Sequence, residues 1–180
     1  MKPLNELTLS ELWDLFPIVL VSYNPDWKVW AKEEIEFLNT LLAEFNPRIS
    51  HVGSTAIGGI LSKPIVDLIV ELPADADVRR LMESNGYICM SESPRGLSFN
   101  KGYTQSGYAE RVFHIHCRQY GDAPEIQFRD YLIANPEEAK NYEQLKLQLL
   151  TRFPKDRDAY TAAKSPFIHK MRRAVMKRAR

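Results

Sequence analysis

The chain has 180 residues, 44% of them apolar, and a formal net charge of +1, so it can bury a substantial core and is not a dedicated polyanion binder by charge alone. That average hides a basic end: residues 164–180 hold seven of the 24 Lys/Arg residues and none of the 23 acids. Glu6, Glu11 and Asp14 break up the first twenty residues, and two cysteines, Cys89 and Cys117, are too few for a disulfide framework or zinc knuckle; a cytoplasmic protein with no membrane span and reduced core thiols is expected.

Ser10-Glu11 reads as the cap of a short helix that Pro17 stops, leaving residues 18–21 extended. A turn at Tyr23-Asn24-Pro25-Asp26 launches a helix from Trp27. Its apolar stripe is Val29, Trp30, Ile35, Phe37, Leu38, Leu41 and Leu42, ending near Asn46-Pro47. Residues 49–52 and 65–72 read as strands, the second a β-branched run of the fully buried kind, with room for only a short helical turn between them. A helix over 75–84 closes at Asn85-Gly86. Residues 87–90, 97–102 and 111–117 follow as strands, read as antiparallel. The final third is helical: 126–134, 136–152, and one helix from 155 to the end. Along that last helix Tyr160, Ala163, Phe167, Met171, Ala174 and Val175 share a face. The pattern predicts an α+β fold in one domain over 1–180, with a helical appendage from about 125.

The stretch HVGSTAIGGILSKPIVDLIVEL carries the chemistry. A strand that ends at Gly53 and enters a helical turn offers free backbone N–H groups and the hydroxyls of Ser54 and Thr55, a nest suited to phosphate, with Lys63 able to supply charge. The plainer reading has glycine making the turn and Ser54 capping the short helix. Asp67 interrupts an apolar strand, where a carboxylate needs a partner or a metal; an ion pair with Lys63 or Arg129 would satisfy it as well as a functional site. His114 and His116 lie on one face of a strand, about 7 Å apart along it. With a carboxylate they suit a transition metal, or they can bind phosphate, or they can be satisfied structural histidines. Arg129 can clamp a phosphate or, with Asp130, brace helices. Lys146 and Lys164 each follow a tyrosine by four residues, Tyr142 and Tyr160, on a shared helix face. Convergence of Lys63, Arg129, Lys146 and Lys164 would make one electropositive site. Trp13, Trp27 and Trp30 read as packing residues rather than a stacking platform.

Taken with His51-Val52-Gly53-Ser54-Thr55-Ala56, Lys63-Pro64-Ile65-Val66-Asp67, His114-Ile115-His116 and Phe128-Arg129-Asp130-Tyr131-Leu132, the chain resembles the GrpB family (UPF0157) of the nucleotidyltransferase-like superfamily from Tyr23 onward, with Gly58 where proline is associated with the family's loop. The resemblance implies a mixed, largely antiparallel sheet with flanking helices and a nucleotide-binding cleft. In that superfamily carboxylates from adjacent strands hold Mg²⁺; here Asp67 is present and Ile69 replaces its usual acidic companion. Three functions follow as expectations. One is a cleft for a nucleotide or other phosphorylated small molecule, able to transfer a nucleotidyl group with Mg²⁺, or with Zn²⁺ or Mn²⁺. The second is a binding module without catalysis. The third is an RNA-binding accessory protein acting through residues 170–180.

Overall fold

The β-branched run of the sequence becomes the interior of a five-stranded sheet. The structure is a computed structural model that describes residues 4–178. The strands are β1 (Arg48–Val52), β2 (Val66–Leu72), β3 (Ile88–Ser93), β4 (Gly96–Thr104) and β5 (Gly107–Gln119), in spatial order β1-β2-β5-β4-β3. β2 and β5 run parallel, and the other neighbouring pairs run antiparallel. The sheet is therefore mixed and largely antiparallel. Period-two alternation sends Val66, Leu68, Val70 and Leu72 to one face, where they meet Phe113, Ile115 and Cys117 of β5 in a core with the helix that precedes β1. Cys89 and Cys117 are free thiols, the latter inside this core.

That helix, α2 (Asp26–Leu41), buries Trp27, Ala31, Glu34 and Leu38. These positions keep the 3.6-residue period, whereas Val29 and Phe37 of the expected stripe are 52% and 42% exposed. Glu34 hides among apolar neighbours because its carboxylate accepts from the Lys101 ammonium at 2.8 and 2.9 Å and from the Tyr87 hydroxyl at 2.5 Å. Counting only apolar letters rotates the buried face away from its true position. A short 3₁₀ turn, Ala43–Phe45, and a left-handed Asn46 complete the link to β1.

The first helix, α1 (Leu9–Leu15), is capped by Thr8 rather than Ser10. Thr8 Oγ1 accepts from the Glu11 amide at 3.3 Å, and the Glu11 carboxylate accepts from the Thr8 amide at 2.8 Å. Residues 18–21 form an isolated bridge between Val21 and Ser62 rather than a strand. The turn after β1 is α3 (Ser54–Ile57), and α4 (Arg79–Ser84) is shorter than the expected 75–84 helix, closing on a left-handed Gly86.

The final third folds as α5 (Pro124–Ala134), α6 (Pro136–Arg152), α7 (Arg157–Ala163) and α8 (Ser165–Arg178). The single helix expected from residue 155 is broken at Lys164. Asp156 caps α7 by accepting from the Ala159 amide at 2.9 Å. Pro166 lacks the N–H that a continuous helix would give to Ala162, and its ring crowds that carbonyl, so the chain restarts with proline in the first turn of α8. Phe128, Leu132, Ala139, Tyr142 and Met171 pack these helices together with Ile60 of the loop after α3. The end of the basic tail, residues 179–180, lies outside the described residues. Among the described residues no helix is long and apolar enough to cross a membrane.

Candidate functional site

The parallel pairing of β2 with β5 places Asp67 opposite His114 and Ile69 opposite His116. Asp67 Oδ1 lies 3.3 Å from His114 Nδ1 and 3.8 Å from His116 Nε2. The far nitrogens are also engaged: His114 Nε2 meets the Tyr103 hydroxyl at 2.8 Å, and His116 Nδ1 meets Ser98 Oγ at 3.3 Å. Both rings are thus pinned from behind, with one nitrogen each turned to the carboxylate. Burial works to raise the Asp67 carboxyl, but hydrogen bonds from His114 and His116 outweigh it and hold the group well below the usual carboxylate range. Burial lowers His114. Asp67 finds its partners in imidazoles, not in an ion pair with Lys63 or Arg129.

One ligand atom from each of Asp67, His114 and His116 falls within 4.8 Å of the others. Two imidazoles and one carboxylate fit a divalent transition metal such as Zn²⁺ or Mn²⁺ better than Mg²⁺, which prefers oxygen ligands. Ile69 is fully buried, so β2 offers no second acid there for a two-metal platform.

The Gly53 turn closes against this cluster. Gly53 has φ +73°, and a Cβ at its position would stand 2.5 Å from Asp67 Oδ2. Glycine is needed both for the backbone and for the approach of the carboxylate. Gly53 itself is the N-cap of α3, and no side chain caps the helix. Ser54 instead receives a hydrogen bond from Lys146 Nζ at 3.0 Å, and Lys146 also donates to the Leu61 carbonyl. Thr55 Oγ1 lies 2.9 Å from His51 Nε2, so its hydroxyl braces the turn. Burial drives the His51 imidazole down to about 4. α6 fastens the following loop, with Glu143 accepting from the Leu61 amide and Lys140 donating to the Gly59 carbonyl at 3.0 Å.

A cavity of about 700 Å³ joins these parts, lined by Gly53, Ser54, Thr55, Lys63, Asp67, His114, His116, Lys146 and Lys164 among others. Its three lysines are pushed toward the neutral amine, first by burial: Lys63 to about 8 and Lys146 to about 7, each lowered further by the charge of Lys164, and Lys164 downward as well, with Arg157 adding to burial. Arg129 does not line it. The Arg129 guanidinium donates to the His51 carbonyl at 2.7 Å and pairs with Asp130 at 2.7 Å, tying α5 to β1. Arg157 takes the place expected of Arg129. It donates to the Tyr103 hydroxyl at 3.2 Å and the Phe16 carbonyl at 3.4 Å. Sequence reading missed Arg157 and Tyr103, and it assigned Trp13 to packing although Trp13 lines the cavity. Tyr160 is 1% exposed, lines the same cavity, and its hydroxyl has no hydrogen-bond partner among the described residues.

The GrpB protein family model matches residues 17–174. A UPF0157 protein of Pseudomonas aeruginosa is 34% identical over 157 residues, covering 84% of this chain and 64% of that protein, so the chain spans about two thirds of this relative's length. The crystal structure of GrpB from Enterococcus faecalis superposes with a TM-score of 0.76 at 30% identity, covering 89% of this chain and 99% of that one. The Cid1 poly(U) polymerase shares the fold at 14% identity, with a TM-score of 0.50 over 81% of this chain and 46% of that one. The chain belongs to the GrpB family, and it shares a nucleotidyltransferase-like fold with that polymerase.

Proposed function

From its place in the GrpB family, we propose that this chain binds a nucleotide or another phosphorylated small molecule in the cavity, beside a divalent metal held by Asp67, His114 and His116. The observation that carries the reading is convergence. Three lysines, Lys146 buried and Lys63 and Lys164 partly so, reach one cavity from α6, from a loop and from the α7–α8 junction, and that cavity also contains the carboxylate–imidazole cluster. Ammonium groups removed from water are costly unless an anion compensates them, and their depressed basicity is that cost expressed as a proton equilibrium. A phosphate group supplies the missing charge, and the orphaned Tyr160 hydroxyl supplies a donor to it.

If the site is catalytic, the reaction is nucleotidyl transfer. The metal would neutralise phosphate charge, with Asp67, His114 and His116 as its ligands. Lys63, Lys146 and Lys164 would stabilise the departing pyrophosphate, and the Gly53–Ser54 turn would position the chain of phosphates. The absence of a second acid at residue 69 favours a second reading, a binder that keeps the cavity without turnover.

Thermal-shift measurements with nucleotides and phosphorylated metabolites, with and without Mn²⁺ or Zn²⁺, test the binding claim, because a ligand for the folded state raises its melting temperature. A metal-dependent shift that vanishes in Asp67→Asn is expected. No shift from any phosphorylated compound would refute the reading. Pyrophosphate release from a nucleoside triphosphate separates enzyme from binder.

A further inference from the structure

We propose that α1 forms a selectivity wall and that the ligand is a nucleoside polyphosphate whose base lies against Leu12 and Trp13. The inference rests on reading the lysine end of the cavity as an anion site. The cavity has two ends of opposite chemistry. One part of its lining is Lys63, Lys146 and Lys164 with Asp67; the other is apolar, Leu12 and Trp13 of α1 with Ile88 and Met90 of β3. α1 buries none of its own residues, so its apolar side chains are not consumed by the core. Ile88 and Met90 are 41% and 56% exposed, so among the described residues nothing fully covers this apolar lining.

An inorganic polyphosphate or a sugar phosphate would satisfy the lysines and leave this wall in water. A planar aromatic ring attached to the phosphates would cover it, because stacking on an indole and aliphatic groups removes apolar surface from both partners. The wall is held to the anion end by Arg157, which bonds both the carbonyl that ends α1, on Phe16, and the Tyr103 hydroxyl behind His114. Residues 9–15 precede the stretch matched by the family model, so the wall is not part of the pattern that assigns the chain to its family.

The test is isothermal titration of the full chain, in the presence of Mn²⁺, with ATP, GTP, CTP and UTP separately and with inorganic tripolyphosphate. At least one nucleotide is expected to bind about tenfold or more tightly than tripolyphosphate. Trp13→Ala should remove that preference while changing tripolyphosphate affinity less than about twofold. Met90→Ser, at a position 56% exposed, should reduce it in the same direction. Tripolyphosphate binding as tightly as every nucleotide, or a preference unchanged in both variants, would overturn the wall while leaving the anion site standing. If neither nucleotides nor tripolyphosphate bind, the anion site itself is wrong and the wall falls with it.

Discussion

Gly53 shows how one missing side chain can organise a site. Its positive φ and the 2.5 Å gap to Asp67 Oδ2 are separate demands, and Gly86, also at positive φ but with open space around it, carries only the first. Gly86→Ala should cost about 1 kcal/mol, and Gly53→Ala at least about 2 kcal/mol, because the added methyl must also displace the carboxylate. Urea unfolding of the two variants measures the difference; equal losses would show that Asp67 yields freely. Lys146 offers a second check. It is held at about 7 by burial, then by Lys164 and Lys63, against the pull of Glu143. An anion favours the ammonium form, so at pH 8 binding must take up protons, whereas at pH 6 the amine is already charged. Titrating tripolyphosphate in buffers of different ionisation enthalpy should show clear proton uptake at pH 8, less at pH 6, and less at pH 8 in Lys146→Met than in the unaltered chain. Asp67 was legible at this scale because a carboxylate in an apolar strand is anomalous, and the two histidines because their spacing is. Arg157 and Tyr103 gave no such sign: each becomes a site residue only through contacts that depend on where α7 and β4 are packed.

At the scale of elements, helices with strong boundaries were legible and those with weak or interrupted ones were not. α6 begins at Pro136 and ends at Arg152 as its pattern predicts, since proline and an acidic first turn mark its start. The continuous helix expected after residue 155 ignored Pro166, whose missing N–H places a bend at Lys164 and brings that lysine to the cavity. α1 depends on its capping box more than on burial. Thr8→Ala should therefore cost about 1 kcal/mol locally. Hydrogen exchange should accelerate at the amides of residues 9–15 and stay unchanged in β2 and β5. Faster exchange throughout the sheet would show that α1 supports the core instead.

At the scale of the molecule, the site depends on one topological fact. β5 enters the sheet between β2 and β4, parallel to β2, and so sets His114 and His116 beside Asp67. The strands themselves were readable from alternation and β-branched content, and the fold class from the motifs together. Which strand neighbours β2 was not readable, because period-two patterns fix the face of a strand and not its partner. The lysines converge for the same long-range reason: Lys146 and Lys63 are distant in sequence, and only the packing of α6 on the loop after α3 unites them.

The most direct measurement is calorimetric titration of Mn²⁺ into the metal-free chain and into Asp67→Asn and His116→Ala. One saturable site per chain is expected in the unaltered protein, weakened about tenfold or more by either substitution. Equal affinity in all three proteins would contradict the carboxylate–imidazole cluster as the metal's seat.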